Sequence, residues 1–124
     1  MNNVLWIIAV LLAVAFLVSG VLKLIRTPEQ LAASGLGWAT DFSPGMVKLI
    51  GALEVLAAIG LVLPALLDIA PVLVPLAALG LVLIMIGAAI VHGRRKEYPM
   101  IAGNAVLLIL AAIVVWGRFG PYAF

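Results

Sequence analysis

The sequence predicts an all-α integral membrane protein, an antiparallel four-helix bundle with a short interfacial helix between the first and second spans. The first observation is composition: 67% of the 124 residues are hydrophobic and 10% are charged, whereas soluble domains are about 45–50% apolar and about 25% charged. A soluble chain this short could not bury so much apolar surface. The second observation is four apolar runs, each long enough to cross the roughly 30 Å hydrocarbon core. We expect one domain over residues 1–124.

The first apolar run, residues 4–25, is interrupted only by Ser19 and Lys23. About 20 helical residues are needed to cross the hydrocarbon core, so this run is long enough to span. The three residues before it include no Lys or Arg, whereas a secretory signal peptide begins with a basic segment. We therefore expect a retained span and not a cleaved signal.

The stretch after the first span is the most polar of the chain. Thr27 and Gln30 have the spacing of a capping box, and Pro28 suits the first position of a helix. The sequence therefore predicts a short interfacial helix that begins at Pro28 and ends near Ser34. Trp38 follows, and we expect it to anchor the segment at the interface, where tryptophan is enriched.

Three further apolar runs complete the predicted bundle. Ser43 before Pro44 has the pattern of an N-cap followed by a proline in the first turn, which predicts a helix start. Short connections after the second and third runs favour an up-down antiparallel arrangement. The predicted spans two, three and four are residues 45–63, 72–91 and 99–116.

The positive charges predict an orientation in the membrane. Four spans place both termini on one side, with the first and third connections on the other. Six of the seven Lys and Arg residues lie near those two connections, and short loops rich in Lys and Arg remain cytoplasmic. We expect a multi-pass protein of the bacterial inner membrane with both termini outside the cytoplasm. The six residues are Lys23, Arg26, Lys48, Arg94, Arg95 and Lys96.

Ionisable residues inside a span need an explanation, because insertion scales assign them a penalty of roughly 2.5–3.5 kcal/mol at the helix centre. Glu54 lies near the middle of the second span and Lys23 near the end of the first. Side chains lean toward the N-terminus of their helix, so these two converge if the helices are antiparallel. His92 follows the end of the third span directly, and Asn104 lies in the same half of the fourth span. The sequence therefore predicts one polar cluster drawn from all four helices.

Two interpretations of this cluster remain open. It is either a set of interhelical hydrogen bonds that fixes the bundle, or a small binding or proton-handling site centred on Glu54. The second follows because a buried carboxylate beside an ammonium can exchange a proton as a ligand enters. Small residues nearby, Gly51, Gly87 and Gly103, are predicted to let the helix backbones approach closely.

The residue inventory excludes several chemistries. The chain has no cysteine, which excludes disulfides, thiol redox chemistry and Cys-ligated metals, and its one histidine cannot form a bis-histidine haem site. We predict no metal site and no nucleic-acid partner. The basic loop of Arg94, Arg95 and Lys96 is interpreted as a topology signal that contacts lipid head groups. An acidic partner or a nucleotide is the alternative, although no Gly-rich phosphate loop supports a nucleotide site.

Four segments together form a family pattern. The most specific is residues 48–64, with its Lys, Gly and Glu positions, and residues 19–24, the basic loop and Asn104 also fit. Across its whole length the sequence resembles the DoxX-like membrane proteins. The resemblance implies a four-helix membrane protein. It also implies a link to redox complexes or to the assembly of partner membrane proteins, since the family takes its name from a subunit of a thiosulfate:quinone oxidoreductase.

The resemblance leads to two function hypotheses. The first is an accessory subunit of a membrane oxidoreductase complex, with a quinone or small-molecule pocket near Glu54. The second is a structural or assembly protein that docks partner membrane helices, or further copies of itself, without a ligand of its own. A channel or transporter is a weaker third hypothesis, because one four-helix chain has too few polar positions to line a path and would need to form an oligomer.

Overall fold

Four long helices and two short ones form the part of the chain that the structure describes, residues 2–33 and 37–123. In this computed structural model each long helix is long and apolar enough to cross a membrane, and a short α-helix lies between the first two. The predicted fold class is therefore confirmed. The helices are α1 (Asn2–Ile25), α2 (Pro28–Ala33), a 3₁₀ helix (Gly37–Asp41), α3 (Pro44–Leu66), α4 (Leu73–Arg94) and α5 (Tyr98–Phe119).

The long helices pack as an antiparallel ring. Helix α1 contacts α3, α3 contacts α4, α4 contacts α5, and α5 returns to α1. We call the end with the α1–α3 connection and the α4–α5 turn the charged end. The opposite end, where the chain begins and finishes, is the terminal end. Helices α1 and α4, like α3 and α5, therefore lie diagonally across the ring.

An apolar core runs along the axis of the ring. It includes Leu12, Phe16, Leu61, Leu81 and Val114, so all four long helices contribute to it. Large apolar side chains also cover the outside of the ring, where Leu11, Leu56 and Leu83 are exposed. Such a surface is unfavourable in water and is matched by lipid chains. The chain is therefore a multi-pass membrane protein in contact with the bilayer.

Helix α4 extends beyond the predicted third span and includes His92 and Arg94. The helix is terminated by a turn at Lys96, whose φ of 59° lies in the left-handed region. The next N–H, from Glu97, donates to the His92 carbonyl at 2.8 Å, which is the hydrogen-bond pattern of a Schellman motif. His92 was predicted at the end of the span beside a basic loop. It is instead a helical residue, and only 5% of it is exposed.

Helix α3 likewise continues past the predicted end of its span. Pro64 lies inside the helix, which ends at Leu66, although the sequence pattern placed a turn from Pro64 onward. Asp68 adopts a φ of 52°, and the Ile69 N–H donates to the Pro64 carbonyl at 3.0 Å. This closure satisfies carbonyls of the last turn, so α3 ends later than hydropathy indicates.

The capping patterns predicted at the charged end are confirmed. The Thr27 N–H donates to Gln30 Oε1 at 2.9 Å, and the Gln30 N–H donates to Thr27 Oγ1 at 3.2 Å. The N–H of Met46 donates to Ser43 Oγ at 3.2 Å at the start of α3. Helix α2 ends at Ala33, and the predicted end near Ser34 lies outside the described residues.

A second, smaller apolar cluster covers the charged end. Leu31 of α2, Ala39 of the 3₁₀ helix and Val47 of α3 are buried together, with Trp38 and Phe42 packed against them. The rings of Trp38 and Phe42 meet edge to face, with their centroids 5.8 Å apart. The segment between α1 and α3 therefore folds back onto the bundle, and the interfacial role of Trp38 stays a prediction.

Arg118 closes the terminal end of the bundle. The sequence pattern assigned it to a tail beyond the fourth span, but it lies within α5 and is only 5% exposed. Its guanidinium donates to Asn2 Oδ1 at 2.6 Å and to the Tyr122 carbonyl at 2.9 Å. It also lies 5.9 Å from the centre of the Trp6 ring. The two ends of the chain are therefore joined by one side chain.

Of the three glycines predicted at helix contacts, only Gly51 lies at a close contact between two helices within the described residues. A Cβ at Gly51 would lie 2.7 Å from the Gly20 carbonyl oxygen, so α1 and α3 approach closely there. A Cβ at Gly87 or at Gly103 would meet no atom within 4 Å, and both residues are exposed. Neither glycine faces a neighbouring backbone within the described bundle, so their role in helix packing stays a prediction for contacts with other membrane helices.

Candidate functional site

A buried ion pair joins α1 to α3 in the charged half of the bundle. Lys23 Nζ lies 2.6 Å from Glu54 Oε1, and the two residues are 6% and 2% exposed. The same ammonium donates to Ser19 Oγ at 2.8 Å, one turn earlier on α1. It also lies 5.5 Å from the centre of the Trp38 ring, within the range of a cation–π contact. Lys23 is therefore surrounded by three groups that stabilise its charge.

The close contact between Gly20 and Gly51 positions this pair. Lys23 and Glu54 each follow one of the glycines by three residues, so they sit one turn to either side of the crossing point. Because side chains lean toward the N-terminus of their helix, each leans back toward the crossing. The antiparallel geometry thus brings the ammonium and the carboxylate together at the depth of the two glycines.

A cavity of about 470 Å³ lies beside the ion pair. All four long helices and the 3₁₀ helix contribute to its wall, which is mostly apolar and aromatic. The polar side chains in the wall come from Ser19, Lys23, Glu54, His92 and Asn104. The apolar wall includes Phe16, Trp38, Phe42, Ile50, Leu53, Ile84, Met85, Val91, Met100 and Leu107. The four residues predicted as a polar cluster therefore line one cavity.

Two polar atoms in this wall are buried without a hydrogen-bond partner among the described residues: Glu54 Oε2 and Asn104 Nδ2. The amide nitrogen of Asn104 does not reach Glu54, because α5 lies diagonally opposite α3 in the ring. Buried polar atoms are nearly always paired in native proteins, so an exception calls for an explanation such as a ligand.

His92 connects the cavity wall to the α4–α5 turn. Its Nδ1 lies 3.1 Å from Glu97 Oε1, and Glu97 also accepts from Arg95 Nε at 3.1 Å. No three His, Asp or Glu side chains within residues 2–33 and 37–123 converge in a way that could hold a metal ion. The position of His92 is therefore that of a wall residue whose ring is oriented by Glu97.

Arg95 ties the α4–α5 turn to the 3₁₀ helix. Its guanidinium lies 2.6 Å from Asp41 Oδ2, and this hydrogen bond raises the pKa of Arg95, with the charges of Asp41 and Glu97 adding to the effect. Arg95 was grouped with Arg94 and Lys96 as a contact for lipid head groups, but it is engaged by protein carboxylates. Arg94 and Lys96 are exposed, which leaves the head-group role to them as a prediction.

Most of the chain matches one known family. A family model described as DoxX-like matches residues 7–114. The chain belongs to the DoxX-like family. The match covers the ion pair, His92 and Asn104, so every polar wall residue of the cavity lies within the matched segment of this DoxX-like protein. No curated protein and no solved structure matches the chain.

Several residues of the site in this DoxX-like protein were not predicted from the sequence to belong to it. Ser19 was noted only as an interruption of the first span, and Phe42 was not singled out. Trp38 was assigned to the membrane interface. All three line the cavity, and Ser19 and Trp38 contact the Lys23 ammonium directly. The spacing of Ser19 and Lys23, four residues apart on one helix face, is the signal that could have paired them.

Proposed function

We propose that this DoxX-like protein binds a small amphipathic molecule, most simply a quinone, in the cavity beside Glu54, and that it serves as an accessory subunit of a membrane oxidoreductase. The cavity supports the binding step by its size and lining. Ligand pockets are commonly about 300–1,000 Å³, mostly apolar, with a few convergent polar groups that orient the ligand. A wall of aromatic and aliphatic side chains with a small polar patch suits a ring bearing oxygen atoms and an apolar tail.

The observation that carries the proposal is the pair of unpartnered atoms, Glu54 Oε2 and Asn104 Nδ2. A buried polar atom left without a partner costs about 1–3 kcal/mol. A bundle held together only by interhelical hydrogen bonds has no reason to retain two such atoms on one cavity. An occupant that bonds both would remove the penalty, and ring compounds of the quinone–quinol class carry oxygen atoms on opposite sides of a flat ring.

The orientation of the site follows from the same proposal. The charged end carries six of the seven Lys and Arg residues of the chain, so we place it and the cavity in the cytoplasmic half of a bacterial inner membrane. Both termini then lie outside the cytoplasm. A reporter fused after residue 124 that is active only outside the cytoplasm is the expected result. Activity only in the cytoplasm would overturn this orientation.

Purification from native membranes in a gentle detergent tests the binding proposal. We expect a quinone or a comparable amphipathic molecule to be extracted from the wild-type protein in near-stoichiometric amount and identified by mass spectrometry. The Asn104→Leu variant keeps the number and branching of the side-chain heavy atoms but lacks the donor, so it should retain several-fold less of the same molecule. Equal amounts in both proteins, or none in either, would contradict the proposal.

The competing function is the docking of partner helices without a ligand. It is favoured by one observation: Gly103 is exposed and faces no neighbour within the described bundle. Enlarging Gly103 separates the two functions, because Gly103 is not part of the cavity wall. The docking function is correct if two results are found together: Gly103→Leu abolishes a specific complex with another membrane protein, and Glu54→Gln leaves that complex assembled and active.

A further inference from the structure

The hydrogen-bonding chemistry of the cavity restricts which molecule can satisfy it. Lys23 directs N–H groups to Glu54 Oε1 and Ser19 Oγ and its charge to the Trp38 ring. Glu54 Oε2 is buried and receives no hydrogen bond among the described residues. A carboxylate can only accept hydrogen bonds. An occupant that satisfies Oε2 therefore has to carry an O–H or N–H donor.

Asn104 imposes the opposite requirement on the same occupant. Its Nδ2 is a donor with no acceptor among the described residues, and the residue lines the same cavity as Glu54. A molecule that satisfies both must present one donor and one acceptor. A quinone has only acceptor oxygens, so it can satisfy Asn104 and leaves Glu54 Oε2 unpaired. A quinol has hydroxyl groups, each of which can donate and accept.

We propose that the cavity binds the hydroxyl-bearing, reduced form of its ring ligand in preference to the carbonyl form, because Glu54 Oε2 requires a donor. This inference rests on the proposed function and specifies its ligand. The preference expected from leaving one buried acceptor unpaired is about tenfold in dissociation constant, the lower part of the range for such a penalty. Glu54 is then the residue that distinguishes the two redox forms, and Asn104 holds both.

The test compares short-chain ubiquinol and short-chain ubiquinone, each with a single isoprene unit, under anaerobic conditions. Binding to the full chain in nanodiscs is followed by the fluorescence of Trp38, in a background where Trp6 and Trp116 are replaced by Phe. We expect the quinol to bind about tenfold more tightly than the quinone. The quinol whose hydroxyls are O-methylated keeps the ring and loses the donors, so it should bind no better than the quinone. Equal affinities for quinol and quinone, or tight binding of the methylated compound, would overturn the inference.

The Glu54→Gln variant provides the matched protein control. Glutamine can still accept from Lys23 and places an amide donor where Oε2 was. Both a quinone carbonyl and a quinol hydroxyl can accept from that donor, so we expect the preference for the quinol to be lost. Asn104→Leu should weaken both forms and leave their ratio unchanged. If neither form binds the protein that keeps Trp38 as its one tryptophan, the proposed function fails along with the inference. If both bind equally, only the inference fails. The comparison with the methylated compound in that same protein stands even if the Glu54 or Asn104 variant does not fold.

Discussion

Gly20 of α1 and Gly51 of α3 lie so close that a Cβ on Gly20 would be 2.6 Å from the Gly51 carbonyl oxygen, and a Cβ on Gly51 would be 2.7 Å from that of Gly20. The obstructing atoms are backbone, so neither helix can yield by changing a rotamer. The contact fixes the depth at which Lys23 and Glu54 meet. It therefore links helix packing to the geometry of the cavity wall.

Replacing Gly51 by alanine should destabilise the bundle by about 1–3 kcal/mol, the usual effect of forcing an extra carbon into a packed contact. The expected measurement is a lower midpoint of unfolding in detergent. Gly80→Ala is the matched control, because a Cβ at Gly80 would meet no atom within 4 Å. Alanine is a better helix former than glycine, so this control should be neutral or slightly more stable. Equal midpoints for the two variants would show that the α1–α3 contact is not tight.

Sequence reasoning predicted the helices and the convergence of Lys23 and Glu54, since both depend on local periodicity and on the direction in which helical side chains lean. It did not predict Gly20 as the partner of Gly51, because a single glycine in an apolar run has no distinctive pattern. The Asp41–Arg95 pair was also missed. These residues are far apart in the chain, and only the folding of the 3₁₀ helix onto the charged end brings them together.

Removing one member of the buried ion pair should be much more damaging than removing both. Lys23→Met leaves the Glu54 carboxylate buried and unpaired, and we expect a loss of about 3–5 kcal/mol in the free energy of unfolding. The double variant with Glu54→Leu buries no charge and should recover most of that loss. Unfolding in mixed detergent micelles gives the four free energies of a double-mutant cycle.

The cycle also has an outcome that would contradict the structure. If the effects of Lys23→Met and Glu54→Leu add without a coupling term, the two side chains do not interact in the membrane. A coupling well above the scatter of about 0.3–0.5 kcal/mol found for independent sites is the expected result. Binding of ligand by the double variant should be weak even where stability is restored, because the carboxylate is lost from the cavity wall.

The ion pair of Asp41 with Arg95 should hold the 3₁₀ helix against the α4–α5 turn. Both side chains are partly exposed, at 50% and 32%, so we expect little change in global stability when the pair is broken. Asp41→Asn should instead increase the rate of amide hydrogen exchange in residues 37–41 several-fold. Raising the salt concentration should produce the same change in the wild type, since exposed pairs are screened.

A charge swap provides the control for this pair. Asp41→Arg combined with Arg95→Asp restores opposite charges, although it brings the new Asp next to Glu97, so protection should return in part. Exchange that is equally slow in wild type, single variant and swap would mean that apolar packing of Ala39 and Trp38 alone holds the segment. The pKa of Arg95 is raised, so its charge persists through neutral and alkaline pH. The ion pair should therefore not be lost as the pH is increased.

Filling the cavity from α4 should block binding without disturbing the core. Gly87 lies in the cavity wall, and a Cβ there meets no atom within 4 Å, so the leucine side chain of Gly87→Leu has room to occupy the cavity. We expect at least a tenfold weaker affinity for the short-chain ubiquinol, because the leucine side chain and the ligand ring would compete for the same volume. Each methylene that the ligand can no longer bury there lowers its binding free energy by about 0.8 kcal/mol.

Gly80 on the same helix supplies the matched control for this last change. It lies seven residues earlier, about two turns away on the same face of α4, and a Cβ there also meets no atom within 4 Å. It is not part of the cavity wall. Gly80→Leu should therefore bind the quinol like the wild type. If both leucine variants weaken binding equally, the effect arises from the outer surface of α4, and the ligand does not occupy the cavity beside Glu54.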